Sequence, residues 1–380
     1  MPDNLVTKST VANATSVPMF EILTQYQSLR SEIEAAVRSV LDSTEYIGGA
    51  ALRDFESNLG RRFNARAVAV SSGTDAILAS LMALGIGRGD KVITTPFTFF
   101  ATAGCITRAG AKPVFVDIDP ATFLMRADAI SAVVDAQCKA VIPVHLFGQM
   151  CEMTPLAELC GKLNLKIVED AAQCIGATDS RGKIPGELGG TACLSFYPTK
   201  NLGAAGDAGA VIVRDTALAG RLEQTRQHGE TSRYHHAFVG GNFRLDGIQC
   251  AVLNVKLKYL DKWNSRRRQI ADYYSRRFTN TDVISPVEIP GTHHVYHQYV
   301  VRIPRRDSAK EHLQKRGIGS AIYYPRPLHL QECFQDLGYR EGAFPVSEQA
   351  CREVLALPVF PELTDAQIQH VADTLLAFYK

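Results

Sequence analysis

From about residue 65 to residue 215 the chain alternates short β-branched runs with stretches of helical periodicity, and few folds accept that pattern. The runs span 67–70, 91–95, 113–117, 140–145, 165–169, 193–196 and 210–213. Between them, Ile77, Leu78, Leu81 and Met82 share one face of 75–84, and Leu156, Leu159 and Leu163 share one face of 154–163. Strands that alternate with helices build a mostly parallel sheet covered on both faces, so the expected class is α/β with seven strands. Ligands of such sheets bind at the carboxyl ends of the strands.

The flanking segments differ in texture. Residues 20–41 read as one long amphipathic helix, 245–263 and the basic stretch 266–278 as further helices. Beyond them, 295–303 and 320–324 read as strands, 308–316 and 365–378 as helices. The expected organisation is a tail over 1–17, a large domain over 18–260 and a smaller α+β domain over 261–380. The tail is rich in Ser, Thr, Asn and Ala and has no apolar core of a signal peptide.

Composition excludes several function classes. Hydrophobic residues at 46% rule out a disordered chain. Lys+Arg 41 against Asp+Glu 39 leaves +2, so neither nucleic acid nor an anionic membrane is demanded as a partner. The longest nearly apolar run, 76–87, is shorter than a membrane span. Nine scattered cysteines without a C-x-x-C pair point to reduced thiols in the cytoplasm. The adjacent pairs His235-His236 and His293-His294 are poorly spaced for a metal, and none is expected.

Four segments at strand-to-loop transitions carry candidate chemistry. Ser71-Ser72-Gly73-Thr74-Asp75 opens a helix, whose free N–H groups suit either a phosphate or ordinary capping by Ser72 or Thr74. Gly85, Gly87 and Gly89 lack dinucleotide spacing and follow a helix, which argues against a nicotinamide enzyme. Val168-Glu169-Asp170-Ala171-Ala172-Gln173 places a carboxylate at a strand end, either as a helix cap or as the partner of a cation. Ser195-Phe196-Tyr197-Pro198-Thr199-Lys200 leads into a Gly/Ala-rich loop, 201–209, where a lysine can lose its proton and attack a carbonyl. Gly240-Gly241-Asn242-Phe243-Arg244 presents Asn and Arg two apart, in a turn or against an anionic ligand. Together these parts suit pyridoxal phosphate, which needs a lysine, an anion for its ring nitrogen and a phosphate cradle. Lys200, Asp170 and the Gly73-Thr74 helix start supply them, with Phe99 available to stack on the ring.

From about Pro18 onward the chain resembles the DegT/DnrJ/EryC1/StrS sugar aminotransferases. The resemblance rests on Ser72-Gly73-Thr74-Asp75-Ala76, Pro96-Phe97-Thr98-Phe99-Phe100-Ala101-Thr102, Glu169-Asp170-Ala171-Ala172-Gln173, the Lys200 segment, Asn242-Phe243-Arg244-Leu245-Asp246 and Ala356-Leu357-Pro358-Val359-Phe360-Pro361. It implies a three-layer fold type I aminotransferase with pyridoxal 5′-phosphate as cofactor. By the same resemblance, Lys200 carries the cofactor and shuttles the proton, Asp170 pairs with the ring nitrogen, and Gln173 touches the ring hydroxyl. Phe99 stacks on the ring, and Gly73, Thr74 and Ser195 bind phosphate with Asn242 of a second subunit. A homodimer with shared sites follows. Where relatives carry two glycines after the acidic residue of the loop, this chain has Asp207-Ala208-Gly209. Lys200 separates it from relatives that have His there and act as dehydratases.

The implied reaction moves an amino group from L-glutamate to a keto sugar carried on a nucleotide, giving an amino sugar. Tyr197, Arg244, Tyr324 and His329 are the candidate substrate contacts, the last two from Tyr323-Tyr324-Pro325-Arg326-Pro327-Leu328-His329. That segment and Arg233-Tyr234-His235-His236 look more like relatives acting on 3-keto than on 4-keto sugars. The alternatives are a keto-cyclitol aminotransferase and a cofactor-binding regulator without turnover.

Overall fold

The computed structural model describes residues 16–380. The elements run α1 (Leu23–Ser43), α2 (Gly49–Phe63), β1 (Arg66–Val70), α3 (Gly73–Ala83), β2 (Lys91–Thr94), α4 (Ala101–Arg108), β3 (Lys112–Phe115), α5 (Ala127–Ser131) and β4 (Cys138–Val141). They continue with α6 (Met153–Lys162), β5 (Lys166–Asp170), β6 (Thr191–Ser195), β7 (Gly209–Val213), α7 (Thr216–Thr225), β8 (Glu230–Ser232) and β9 (His235–His236). The last third holds α8 (Gly247–Leu257), α9 (Leu260–Phe278), β10 (Tyr299–Arg302), α10 (Arg306–Gln314), α11 (Pro345–Glu353), β11 (Val354–Leu357) and α12 (Asp365–Ala377).

The main sheet has seven strands in the order β1-β7-β6-β5-β4-β2-β3. Every pair is parallel except those made by β7, which runs against both β1 and β6. Successive side chains of a strand point to opposite faces, and the two cores follow that rule. Val68, Val70, Val168, Val211 and Val213 pack under Ile77, Leu78 and Leu81 of α3. Their neighbours Ala67, Ala69, Ile167, Ala210 and Ile212 face the other way, with Phe55, Leu59 and Phe63 of α2 and Leu253 of α8. Burial on both faces explains why these strands read as continuous apolar runs. The result is helix, sheet, helix, with the carboxyl ends of β5 and β6 and the start of α3 at one edge.

A second core gathers Ile270, Tyr274 and Phe278 of α9, Tyr299 and Val301 of β10, Leu355 and Leu357 of β11, and Val371 and Leu375 of α12. Val17 belongs to it too, buried and bridged to Ile318. The expected tail boundary at 17 therefore shifts, since an apolar side chain there reaches the small core; residues 1–15 lie outside the described ones.

Two expectations change, and two elements are added to them. The expected helix 245–263 breaks at Lys258-Tyr259, and α9 then runs unbroken through the basic stretch. No Gly or Pro marks that break. The expected strand 320–324 reduces to one bridge, Ala321 to Ala356. Helix α2 adds to the expected elements, although Phe55, Leu59 and Phe63 recur at helical spacing. The partner of β10 is β11, within the Ala356-Leu357 motif.

Candidate active site

A cavity of about 520 Å³ opens at the carboxyl edge of the sheet and brings together Gly73, Thr74, Phe99, Asp170, Gln173, Ser195, Tyr197, Lys200 and Tyr324. They arrive from the start of α3, the segments after β2, β5 and β6, and the loop that carries Tyr324, so the sheet does the gathering.

Asp170 ends β5 and is buried. Thr102 donates its hydroxyl to Asp170 Oδ2 at 2.7 Å, and the Ala172 N–H donates to Oδ1 at 3.3 Å. The Thr98 and Thr102 hydroxyls lie 3.1 Å apart, which extends the support of the carboxylate by one residue. Among the described residues no cation forms an ion pair with this buried carboxylate, which needs such donors and retains capacity for one more.

Gln173 follows on the same loop. Its Oε1 accepts from the Phe147 N–H at 2.6 Å, and its Nε2 donates to the Tyr324 hydroxyl at 3.3 Å. Tyr324 packs edge-on against Phe97, with ring centres 6.0 Å apart. Burial pushes the Tyr324 hydroxyl above its ordinary range, so it stays protonated. Phe99 lies 6.4 Å from Tyr324 and is 58% exposed at the cavity mouth.

The phosphate-type cradle is built by close approach. A Cβ on Gly73 would lie 2.6 Å from the Ser195 Cβ, so only glycine lets α3 begin against the end of β6. Ser72 caps α3 by accepting from the Asp75 N–H at 3.0 Å. Capping and anion binding are thus divided: Ser72 takes the first, and the Gly73 and Thr74 amides find no acceptor among the described residues. Free amides at a helix start attract an anion.

Lys200 lies at the end of a tight turn, its N–H donating to the Tyr197 carbonyl at 2.8 Å. The loop folds back so closely that a Cβ on Gly203 would collide with the Pro198 backbone. Among the described residues no group accepts from the Lys200 Nζ. Burial lowers its pKa to about 8, against the opposing pull of Asp170 and Cys174. An amine poised near neutrality beside a carboxylate, a helix-start anion cradle and an aromatic face fits pyridoxal phosphate. The cofactor's aldehyde, ring nitrogen and phosphate would each find here a group of the kind its chemistry needs.

Three expected residues lie outside this cavity. Asn242 is exposed and bridges to Gln227, and Arg244 is partly buried nearby. His329 requires correction as a pocket wall. It is 1% exposed and bonded through Nε2 to Glu348 at 3.0 Å, while Glu348 also accepts from the Gly342 and Phe344 N–H groups. Its role is to anchor the segment that carries Tyr324, whose neighbour Leu328 donates to the Pro96 carbonyl at 2.8 Å.

The cavity also holds three residues that no motif announced, His145, His297 and Gln298, beside Thr98 and Tyr323 of the quoted motifs. Gln298 Oε1 is buried and finds no partner among the described residues, an acceptor left for a ligand. His145 is fully engaged, with the Cys151 N–H donating to Nδ1 at 3.1 Å and Nε2 donating to Glu169 at 2.8 Å. Among the described residues no helix is long and apolar enough to cross a membrane.

The comparisons agree with this geometry. The model of the DegT/DnrJ/EryC1/StrS aminotransferase family matches residues 27–376. A protein of Geobacillus stearothermophilus named pleiotropic regulatory protein is 45% identical, covering 96% of this chain and 99% of its own. A UDP-N-acetyl-3-dehydro-alpha-D-glucosamine 3-aminotransferase of Acidithiobacillus ferrooxidans is 40% identical, covering 95% and 97%. The crystal structure of DesV from S. venezuelae, in complex with a ketimine intermediate, superposes with a TM-score of 0.93 at 38% identity, covering 96% and 99%. With a lysine, a carboxylate and an anion cradle meeting at the sheet edge of a fold type I aminotransferase, the chain belongs to the DegT/DnrJ/EryC1/StrS family of pyridoxal phosphate-dependent sugar aminotransferases.

Proposed function

We propose that this enzyme moves an amino group from L-glutamate to the C3 ketone of a nucleotide-linked sugar. The observation that carries the reading is the composition of the cavity: one wall gathers Lys200, Asp170, Gln173, Gly73, Thr74 and Ser195, and the other presents Tyr323, Tyr324 and Gln298 to a polyhydroxylated ligand. Relatives support the position of attack, since the Acidithiobacillus enzyme is named a 3-aminotransferase and a Pseudomonas aeruginosa relative, 35% identical, is named for a 3-oxo-glucuronate.

Pyridoxal phosphate, when bound, supplies an electron sink that makes a carbon–hydrogen bond next to the amino nitrogen acidic. This chain's residues do the rest. With the cofactor in place, the Lys200 amine would act as the general base that takes this proton and the general acid that gives it back. Asp170, held by Thr102 and the Ala172 amide, keeps a proton on the ring nitrogen. Gln173 orients the ring hydroxyl, and Gly73, Thr74 and Ser195 hold the phosphate, joined by Asn242 of a second copy in a homodimer. Phe99 covers the ring. Tyr197, Tyr324 and Arg244 meet the nucleotide sugar, with the fixed charge of Arg244 suited to a diphosphate or to the donor carboxylate.

The test is a half-reaction screen: protein converted to its amino form is offered 3-keto and 4-keto nucleotide sugars, and the return of the yellow form is followed. Return with 3-keto substrates is expected; return only with 4-keto sugars or keto-cyclitols overturns the assignment. The name of the Geobacillus relative favours a second reading, a regulator without turnover. Lys200 with a pKa near 8 and a supported Asp170 argue for turnover, because a binding protein needs neither. Failure of every ketone to discharge the amino form would favour the regulator.

A further inference from the structure

Three segments that build the cavity meet again outside its lining, in a knot of side-chain amides. Asn201, the residue after Lys200, is 4% exposed, and Asn264 of α9 is 2% exposed. Asn201 Nδ2 donates to the Asn264 Oδ1 at 2.7 Å and to the Val295 carbonyl at 3.1 Å. Asn264 Nδ2 donates to the Ile175 carbonyl at 3.0 Å. Backbone carbonyls only accept, so the Ile175 and Val295 contacts fix which end of each amide is nitrogen. Both hydrogens of the Asn201 amide are then used, and its Oδ1 accepts from His297 Nδ1 at 3.1 Å.

The knot joins distant parts of the chain. Ile175 lies two residues after Gln173, on the loop that begins at Asp170. Val295 and His297 belong to the segment that brings Gln298 to the second wall. Asn264 stands on α9 and does not line the cavity. The fit is close: a Cβ on Gly176, at φ +92°, would lie 2.7 Å from the Asn264 Nδ2. A buried polar network whose amides are satisfied in this way is rigid and specifies one arrangement.

The Lys200 side chain has no such support. Among the described residues nothing accepts from its Nζ, and its backbone N–H makes the turn contact with Tyr197. The place of the amine is therefore set by the backbone that carries it, and Asn201 anchors that backbone from the next position. We propose that Asn201 is a positioning residue for Lys200: tied to Asn264, it holds the lysine loop in register with the loop that carries Asp170 and Gln173. The inference rests on the reading of Lys200 as the residue that carries the cofactor. A small displacement of the lysine against the other partners of the ring would cost it reach to the carbons it serves.

The test compares two ligands on the full-length protein stripped of cofactor. The aldehyde of pyridoxal phosphate condenses with a lysine amine with loss of water. Pyridoxamine phosphate keeps the ring nitrogen and the phosphate but cannot make that bond. Asn264→Ala removes the acceptor from Asn201 at a position away from the cavity. It is expected to weaken the binding of pyridoxal phosphate, measured by equilibrium dialysis, by about tenfold, and that of pyridoxamine phosphate by less than about twofold. Asn201→Ala should do the same or more, and the double variant no worse than Asn201→Ala, because the two residues act as one link. Equal weakening of both ligands, weakening of neither, or effects that multiply in the double variant overturn the proposal. Lys200→Ala is the control: if it binds pyridoxal phosphate as the wild type does, the reading of Lys200 itself fails. In unmutated protein the Nδ2 hydrogens of Asn201 and Asn264 should exchange with solvent at least about tenfold more slowly than those of the exposed Asn280. Equal rates overturn the proposal without any variant.

Discussion

The two walls of the cavity are built differently. The cofactor wall comes from strand ends and a helix start: Asp170 closes β5, Ser195 closes β6, and Gly73 opens α3. The opposite wall, with His297, Gln298, Tyr323 and Tyr324, comes from irregular segments around β10 and β11. On the first wall the groups are fixed by backbone geometry and by donors such as Thr102. On the second they are held by side chains of neighbouring loops, as Tyr324 is by Gln173 and the following segment by His329 and Glu348. Chemistry common to a reaction class belongs on the rigid wall, and discrimination between sugars on the adaptable one.

Substitutions should separate the walls. Lys200→Ala is expected to have the largest effect, lowering transamination by roughly 10²- to 10⁴-fold or more while the circular dichroism spectrum is unchanged. The same variant reports on burial. In the cofactor-free fold Lys200 titrates at about 8 against 10.5 for the ordinary group. The folded state therefore binds fewer protons than the unfolded state between these values, and the wild-type chain gains stability as pH rises through that window. Stability of the variant relative to wild type should accordingly be greatest below pH 8 and decline toward pH 10.5, measured by denaturant unfolding.

Thr102→Val comes next. It removes the hydroxyl donated to Asp170, a hydrogen bond to a charged group worth about 1.5–3 kcal/mol, and should lower kcat by about tenfold or more with little change in KM for the sugar. Tyr324→Phe acts on the other wall. Loss of its long bond to Gln173 should raise the sugar KM by about threefold to tenfold, with kcat nearly kept. If the Thr102 variant changes only KM, or the Tyr324 variant only kcat, the division between the walls fails. His329→Gln should do least to catalysis: the melting temperature falls by about 2–4 °C as the Glu348 anchor weakens, and kcat stays within twofold.

The same division explains what the sequence could tell. The sheet is legible because strands buried on both faces are written as β-branched runs, and Lys200, Asp170 and Gln173, which one cavity brings together, stand out because their motifs are contiguous. His297 does not. Its state depends on Asn201, Asn264 and Ile175, which are brought together from separate parts of the chain. His329 was misplaced for the converse reason: its motif neighbours the cavity in sequence, while its side chain turns toward Glu348. The break between α8 and α9 carries no Gly or Pro, so nothing local in the sequence marks it.

The central claim is that Lys200 is the residue that carries the cofactor. Borohydride reduction of the yellow protein followed by peptide mapping tests it directly. The account predicts one modified peptide, containing Lys200 with the reduced cofactor on its Nζ. A label on any other lysine, or a protein that reduction leaves unlabelled, would contradict it.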